Sequence, residues 1–327
     1  MARKNTPTPP NPEYLAHFPD ISGNRVNGLG EAEPRRPSCF FWHPPDRQTH
    51  GDLQRFVVQN FEIARQGHPH WDVNVDRGPK PIPANPERTP GDAAYWTETV
   101  KRFALENEGD LVGIVRMDPL WVFEGYQVEE PWIVLIGVAH DHEKLSKAPS
   151  TKEDLTAYGE VRNQYNRGAR AVAKLRNFIL GHGYAASEHP GPMAAAVSMV
   201  PAALAAGFGE LGKHGSIINR TFGSNFRLAA VTTDLPLLPD KPDIFGADDF
   251  CTHCRVCSDA CPPDAISETK QLVRGETKWY VNFDKCIPYF GEFMSCGICI
   301  AVCPWSRPGV ADNLVRKMAR RRADAAQ

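Results

Sequence analysis

Nothing in this 327-residue chain stays apolar for long enough to cross a membrane. The longest uncharged stretch, residues 190–209, is alanine-rich and carries Pro201 near its middle, which suits a buried helix better than a span. Charge of one sign is also missing. Lys+Arg number 37 against 39 Asp+Glu, so a net −2 offers no whole-chain footprint for nucleic acid. The first thirty residues hold no apolar signal core. The twin arginine Arg35-Arg36 is followed only by residues 39–42 before His43-Pro44-Pro45, too short a run for export. The expectation is a cytoplasmic protein without a membrane partner. Cysteine is scarce outside one segment: only Cys39 lies beyond 251–303, and it reads as a buried inert thiol. With 42% hydrophobic and 23% charged residues the chain is globular, and its length suggests about two domains.

Proline is in excess, 29 residues or roughly 9% against a usual ≈5%. Fifteen fall within the first 90 residues, which excludes long helices there. Residues 1–45 therefore read as an extended arm anchored by Tyr14, Phe18, Phe40, Phe41 and Trp42, with a short helix at 53–65 beyond it. From residue 93 the pattern turns regular. It predicts a helix over 93–108, a strand at 111–115, and a strand Trp132–Ala139 buried on both faces. A helix over 151–180 stopped by Gly181 and Gly183, an alanine-rich helix at 193–206 and a strand at 227–233 follow. The expected organisation is an arm (1–45), a mixed α/β core (46–245), a cysteine module (246–306) and a basic tail (307–327).

The cysteines carry the sharpest signal. Cys251, Cys254, Cys257 and Cys261, followed by Pro262, form the C-x2-C-x2-C-x3-C-P run of bacterial ferredoxins. Cys286, Cys296, Cys299 and Cys303, followed by Pro304, form C-x9-C-x2-C-x3-C-P. Closely spaced cysteines present thiolates to three corners of a cubane, and the fourth, before proline, serves the other cluster. Cys251, Cys254, Cys257 and Cys303 are thus assigned to one [4Fe–4S] cluster, and Cys261, Cys286, Cys296 and Cys299 to the second. Two four-cysteine zinc sites are the rival, but zinc motifs pair C-x2-C units and need no triplet. Disulfides are disfavoured without an export signal. A single G-x-G-x-x-G occurs at Gly207, Gly209 and Gly212, after a helix rather than a strand, so it lacks the context of a dinucleotide site.

Residues 181–304 resemble the catalytic core of corrinoid-dependent reductive dehalogenases. The matching pieces stand in family order: GHGYAA at 181–186, AGFGELGKHG at 206–215, FGSNFRLAAVTTDLPLLPDKP at 222–242, then the two cysteine runs. EGDLVGI at 108–114 and EPWIVLIGVAHDHEKL at 130–145 resemble the family too. The resemblance implies an α/β (α+β) fold, with a nitroreductase-like cobalamin-binding core and a bacterial ferredoxin-like 2[4Fe–4S] module. It implies base-off cobalamin, and no D-x-H-x-x-G motif is present to supply a lower-ligand histidine. Gly207, Gly209 and Gly212 become candidate cobalamin contacts. The implied reaction is reductive removal of halide from an organohalide, aryl or vinyl, fed by an external donor such as ferredoxin or flavodoxin.

By resemblance Tyr165 is the proton donor and Arg227 its partner, with Tyr158 two helical turns away as the rival tyrosine. The chemistry is sound, because a phenol of pKa ≈10 donates poorly unless a nearby cation stabilises the phenolate. Where the family has a short polar segment with an asparagine, this chain reads Ser187-Glu188-His189-Pro190-Gly191-Pro192, which makes His189 a candidate for the third site residue or a cofactor contact. The aromatic loop 288–295 either lines the substrate site or packs on a cluster. An epoxyqueuosine-reductase-like enzyme acting on tRNA is the alternative. Its catalytic aspartate has no counterpart, since no aspartate lies between Asp154 and Asp234. A non-catalytic ferredoxin subunit would leave the α/β core unexplained.

Overall fold

The computed structural model describes residues 7–66, 76–191 and 196–325. The strands are β1 (Leu111–Arg116), β2 (Trp132–Ala139), β3 (Ala186–His189), β4 (Glu210–Leu211), β5 (Ile217–Ile218), β6 (Phe226–Thr233), β7 (Gln271–Val273) and β8 (Glu276–Lys278). β1, β2, β6 and β3 form one four-stranded sheet in the order β1-β2-β6-β3, antiparallel throughout. Among the described residues no helix is long and apolar enough to cross a membrane.

β2 explains its own unbroken apolar run. Side chains alternate across a strand. Val134, Ile136 and Val138 pack with Trp96 and Val100 of the helix Ala93–Glu106 and with Val172, Leu175 and Ile179 of the long helix Thr156–Gly181. Ile133 and Leu135 pack on the opposite face with Ala202, Ala203 and Phe208. Covered on both faces, the strand has no use for a polar position.

Two elements differ from the sequence reading. The alanine-rich helix is Met199–Ala205, shorter than 193–206, of which 193–195 lie outside the described residues. Val197 instead bridges Val122, and Pro201 falls in the first helical turn, where its missing N–H removes no bond. The long helix starts at Thr156, because the Thr151 hydroxyl accepts the amides of Glu153 and Asp154 and holds a turn there.

The proline-rich arm docks on the core. Tyr14 and Phe41 are buried with Leu53, Val57 and Phe61 of the helix Gly51–Gln66 and with Ile287 and Met294 of the cysteine segment. It is not wholly extended, since Asn11 and Ser22 cap single helical turns at Pro12–Leu15 and Gly23–Val26. Asp284 accepts the Gly23 amide at 2.7 Å and the Asn24 side chain at 3.0 Å, tying the arm to the helix Phe283–Glu292.

Candidate active site

The long helix crosses β6 and sets Tyr165 against Arg227. Arg227 Nη1 donates to the tyrosine hydroxyl at 3.2 Å, and its guanidinium carbon lies 4.8 Å from the ring centroid. Tyr158, seven residues earlier, lines the adjoining cleft, which Tyr165 does not, but its ring and hydroxyl are engaged. It packs edge-on against Phe61 at 5.5 Å, and its hydroxyl accepts Arg162 Nη1 at 3.0 Å.

Arg227 lines a cleft of about 460 Å³, open mouth included, with His140, Tyr158 and Phe226 on the core side and Ser295, Cys296 and Gly297 on the other. His140, at the end of β2, stands with Nδ1 3.5 Å from Glu160 Oε1, both side chains 2% exposed. At that distance the contact is electrostatic rather than a made hydrogen bond. Glu160 also accepts the Asp141 amide at 2.8 Å and Gln164 Nε2 at 2.9 Å. Burial would raise Glu160, but His140 and these donors outweigh it and bring it to about 2. Burial, resisted by Glu160 and reinforced by the Arg227 cation, holds His140 at about 4. At neutral pH the site therefore carries a carboxylate, a neutral imidazole and a guanidinium. His140 Nδ1, Gln164 Oε1, Asn225 Oδ1 and Arg227 Nε are buried without a hydrogen-bond partner. Buried polar atoms are rarely left so, and their concentration here fits a bound polar group.

The cysteines fall into two groups. Cys251, Cys254, Cys257 and Cys303 act on one another as charges, as do Cys261, Cys286, Cys296 and Cys299. The last cysteine of each run joins the other group, and none of the nine is in a disulfide. Burial first, and mutual repulsion second, lifts Cys251 and Cys286 to about 12. Cys257 and Cys299 rise as well. Such thiolates need a cationic core to coexist, which is what an iron–sulfur group supplies. The loop at Met294, Ser295 and Cys296 has φ of +48°, +80° and +37°, three successive non-glycine residues in the left-handed region. Backbone strain of this kind gathers at functional sites, and this loop forms a wall of the cleft.

Residues 250–306 match the 4Fe-4S dicluster domain family. The tetrachloroethene reductive dehalogenase of Desulfitobacterium hafniense is 33% identical over 224 residues, 64% of this chain and 39% of that protein. The chain is a homologue of the reductive dehalogenases. It spans well under half the length of that curated relative. A solved reductive dehalogenase, described in terms of B12-dependent dehalogenation, superposes with a TM-score of 0.72 at 24% identity, over 95% of this chain and 48% of that one, which shows the fold. Epoxyqueuosine reductase of Leadbetterella byssophila is 37% identical over 118 residues, 31% of this chain.

In this dehalogenase homologue the core grips the cysteine module through residues that the sequence did not flag. Glu210 of β4 accepts the amides of Phe245, Gly246 and Ala247 at 2.8, 2.6 and 2.8 Å, capping the helix Ala247–His253 that carries Cys251. Gly223, at φ +56°, sits where a Cβ would strike the Trp305 carbonyl, and Asn225 Nδ2 donates to Ser306 O at 2.6 Å. The glycines 207, 209 and 212 are not among the residues lining the cleft. The space beside them is filled by the Lys241 carbonyl, the Ile218 carbonyl, and the His214 and Ile218 side chains.

His189 is buried with Nε2 3.1 Å from Thr232 Oγ1 and is not among the residues lining the cleft. Of the aromatic loop, only Met294 and Ser295 reach the cleft; Phe290 packs on Trp42 and Phe41, and Tyr289 stacks on Phe293. Cys39 is half-buried rather than buried, its thiol donating to the Glu124 carbonyl at 3.5 Å.

Proposed function

We propose that this chain is the catalytic core of a cobalamin-dependent oxidoreductase that removes halide from an organohalide, aryl or vinyl, by R–X + 2e⁻ + H⁺ → R–H + X⁻. The observation that carries the reading is the Arg227–Tyr165 hydrogen bond at 3.2 Å, beside a cleft whose far wall is the Cys296 loop. Two [4Fe–4S] clusters on the eight thiols would supply electrons singly, and base-off cobalamin held beside Arg227 and the Cys296 loop would supply low-valent cobalt chemistry at the carbon–halogen bond. The chain's own residues manage the proton and the charge. Tyr165 holds the donated proton on Oη, and Arg227 stabilises the phenolate left behind. Burial, aided by the Arg227 cation, keeps His140 neutral against the pull of Glu160, so a neutral imidazole faces the reacting group.

The segments 1–45, 46–245, 246–306 and 307–327 act as arm, cobalamin-binding core, cluster module and donor-facing tail. Reduced ferredoxin or flavodoxin is the proposed donor. Met318 of the helix Ala311–Ala325 packs with Cys251 and Cys303, and the basic residues Arg316, Lys317 and Arg320 line a shallow depression on that helix. Protein reconstituted with iron, sulfide and cobalamin, then reduced, is expected to release halide from a panel of aryl and vinyl halides. No halide release, together with reduction of epoxyqueuosine in tRNA, would move the assignment to the epoxyqueuosine reductases.

A further inference from the structure

Lys213 lies in the turn between β4 and β5 and is a charged side chain only 1% exposed. Its Nζ stands 3.1 Å from Glu268 Oε2 and 5.2 Å from the centre of the Trp279 ring. Its amide donates to Cys251 Sγ at 3.4 Å, and its ammonium charge favours the thiolate of Cys257. The ion pair is lopsided. Glu268 is 43% exposed and shared with Arg255 at 3.6 Å, so water screens the carboxylate while the ammonium is sealed in. The other thiol group also accepts an N–H bond, from the Ala265 amide to Cys261 Sγ at 3.3 Å.

Cluster potentials follow local charge, hydrogen bonds to sulfur and solvent exposure. A reduced cluster carries one more negative charge, which a dry cation and an N–H···S bond both favour. We propose, on the two-cluster reading above, that Lys213 raises the reduction potential of the cluster on Cys251, Cys254, Cys257 and Cys303. This cluster lies beneath the C-terminal helix, where Met318 packs with Cys251 and Cys303. Lys213 is a positioning residue for electrons and touches no substrate.

The test is a redox titration followed by electron paramagnetic resonance on the reconstituted full chain, with iron counted first. Cys254→Ser, which removes one cluster, identifies the wave in question. Lys213→Met keeps the stem and deletes the charge. It should lower that wave's reduction constant about tenfold, ~59 mV for one electron, and leave the other wave in place. Lys213→Arg should restore it. Glu268→Gln, which removes the opposing charge, should move the same wave upward by a smaller step, and it carries the test if Lys213→Met fails to fold. Full iron with an unmoved wave in Lys213→Met, or no rise in Glu268→Gln, overturns the role of Lys213 alone. Iron far below eight per unsubstituted chain overturns the two-cluster reading and this inference with it.

Discussion

Tyr165 and Arg227, 62 residues apart in the chain, meet because the long helix and β6 pack face to face, and the guanidinium bonds the hydroxyl while leaving its own Nε free in the buried interior. That free donor points to a site made for more than the tyrosine.

Tyr165→Phe keeps the ring under the guanidinium and deletes the proton. Turnover should fall ~10²–10⁴-fold, as for loss of a general acid, while cobalamin binding and melting temperature hold. Tyr158→Phe forfeits its bond from Arg162 and should retain most of its activity. A dead Tyr158→Phe beside an active Tyr165→Phe would reverse the assignment.

Glu210→Ala leaves the buried amides of Phe245, Gly246 and Ala247 without an acceptor. Hydrogen bonds to a charged group contribute ~1.5–3 kcal/mol, so a loss of at least ~2 kcal/mol is expected. Because those amides open the helix bearing Cys251, iron should leave this variant faster under a chelator than it leaves the parent. Equal melting and equal iron loss would show that the cap is dispensable.

Acid should weaken the fold through histidine. Burial pushes His189 and His214 down to about 4, and His140 reaches about 4 as well. Between pH ~6.5 and ~4 the unfolded chain therefore holds more protons than the folded one, and stability drops as pH falls. Glu160, at about 2, contributes stability that is full above its ordinary 4.5 and is lost only below that, so it does not offset the histidines in this window. Denaturant titrations at pH 7, 6 and 5 on the parent and on His189→Asn should give a slope shallower by about one proton in the variant. Parallel slopes would count against a neutral buried His189.

Arg316, Lys317 and Arg320 changed together to glutamine should slow reduction by ferredoxin several-fold at low salt, with no difference at high salt or with a small chemical reductant. Truncating the helix is the wrong experiment. Met318 is 1% exposed and sits against Gly246, so removing it would open the cluster module itself. Equal rates at low salt would leave these charges a solvated face.

Most of the core and the 4Fe-4S domain were legible because their signals are local. β2 announces itself by eight apolar residues in a row, and the cysteine runs by spacings of two and three. The Tyr165–Arg227 pair was readable only through resemblance, since spacing alone makes Tyr165 one more aromatic on a helix face. Glu160, Glu210 and Lys213 went unseen. A buried charge has no periodicity, and each looks like a surface residue until its partner arrives from elsewhere in the chain.

The sequence by itself determined which side chains could bind iron, where the buried strands run, and that the arm had anchors to dock. Those are properties of composition and of neighbours a few positions apart. Tertiary structure alone decided that the chain's own carbonyls and side chains crowd the Cβ positions of Gly207, Gly209 and Gly212, and that His189 turns to Thr232 instead of the cleft. It also decided that a buried ammonium lies beside the Cys251 and Cys257 thiols. The physical reason is the same in each case. Close backbone approach, burial and electrostatics depend on distance in space, and residues far apart in sequence set that distance only once the core has packed.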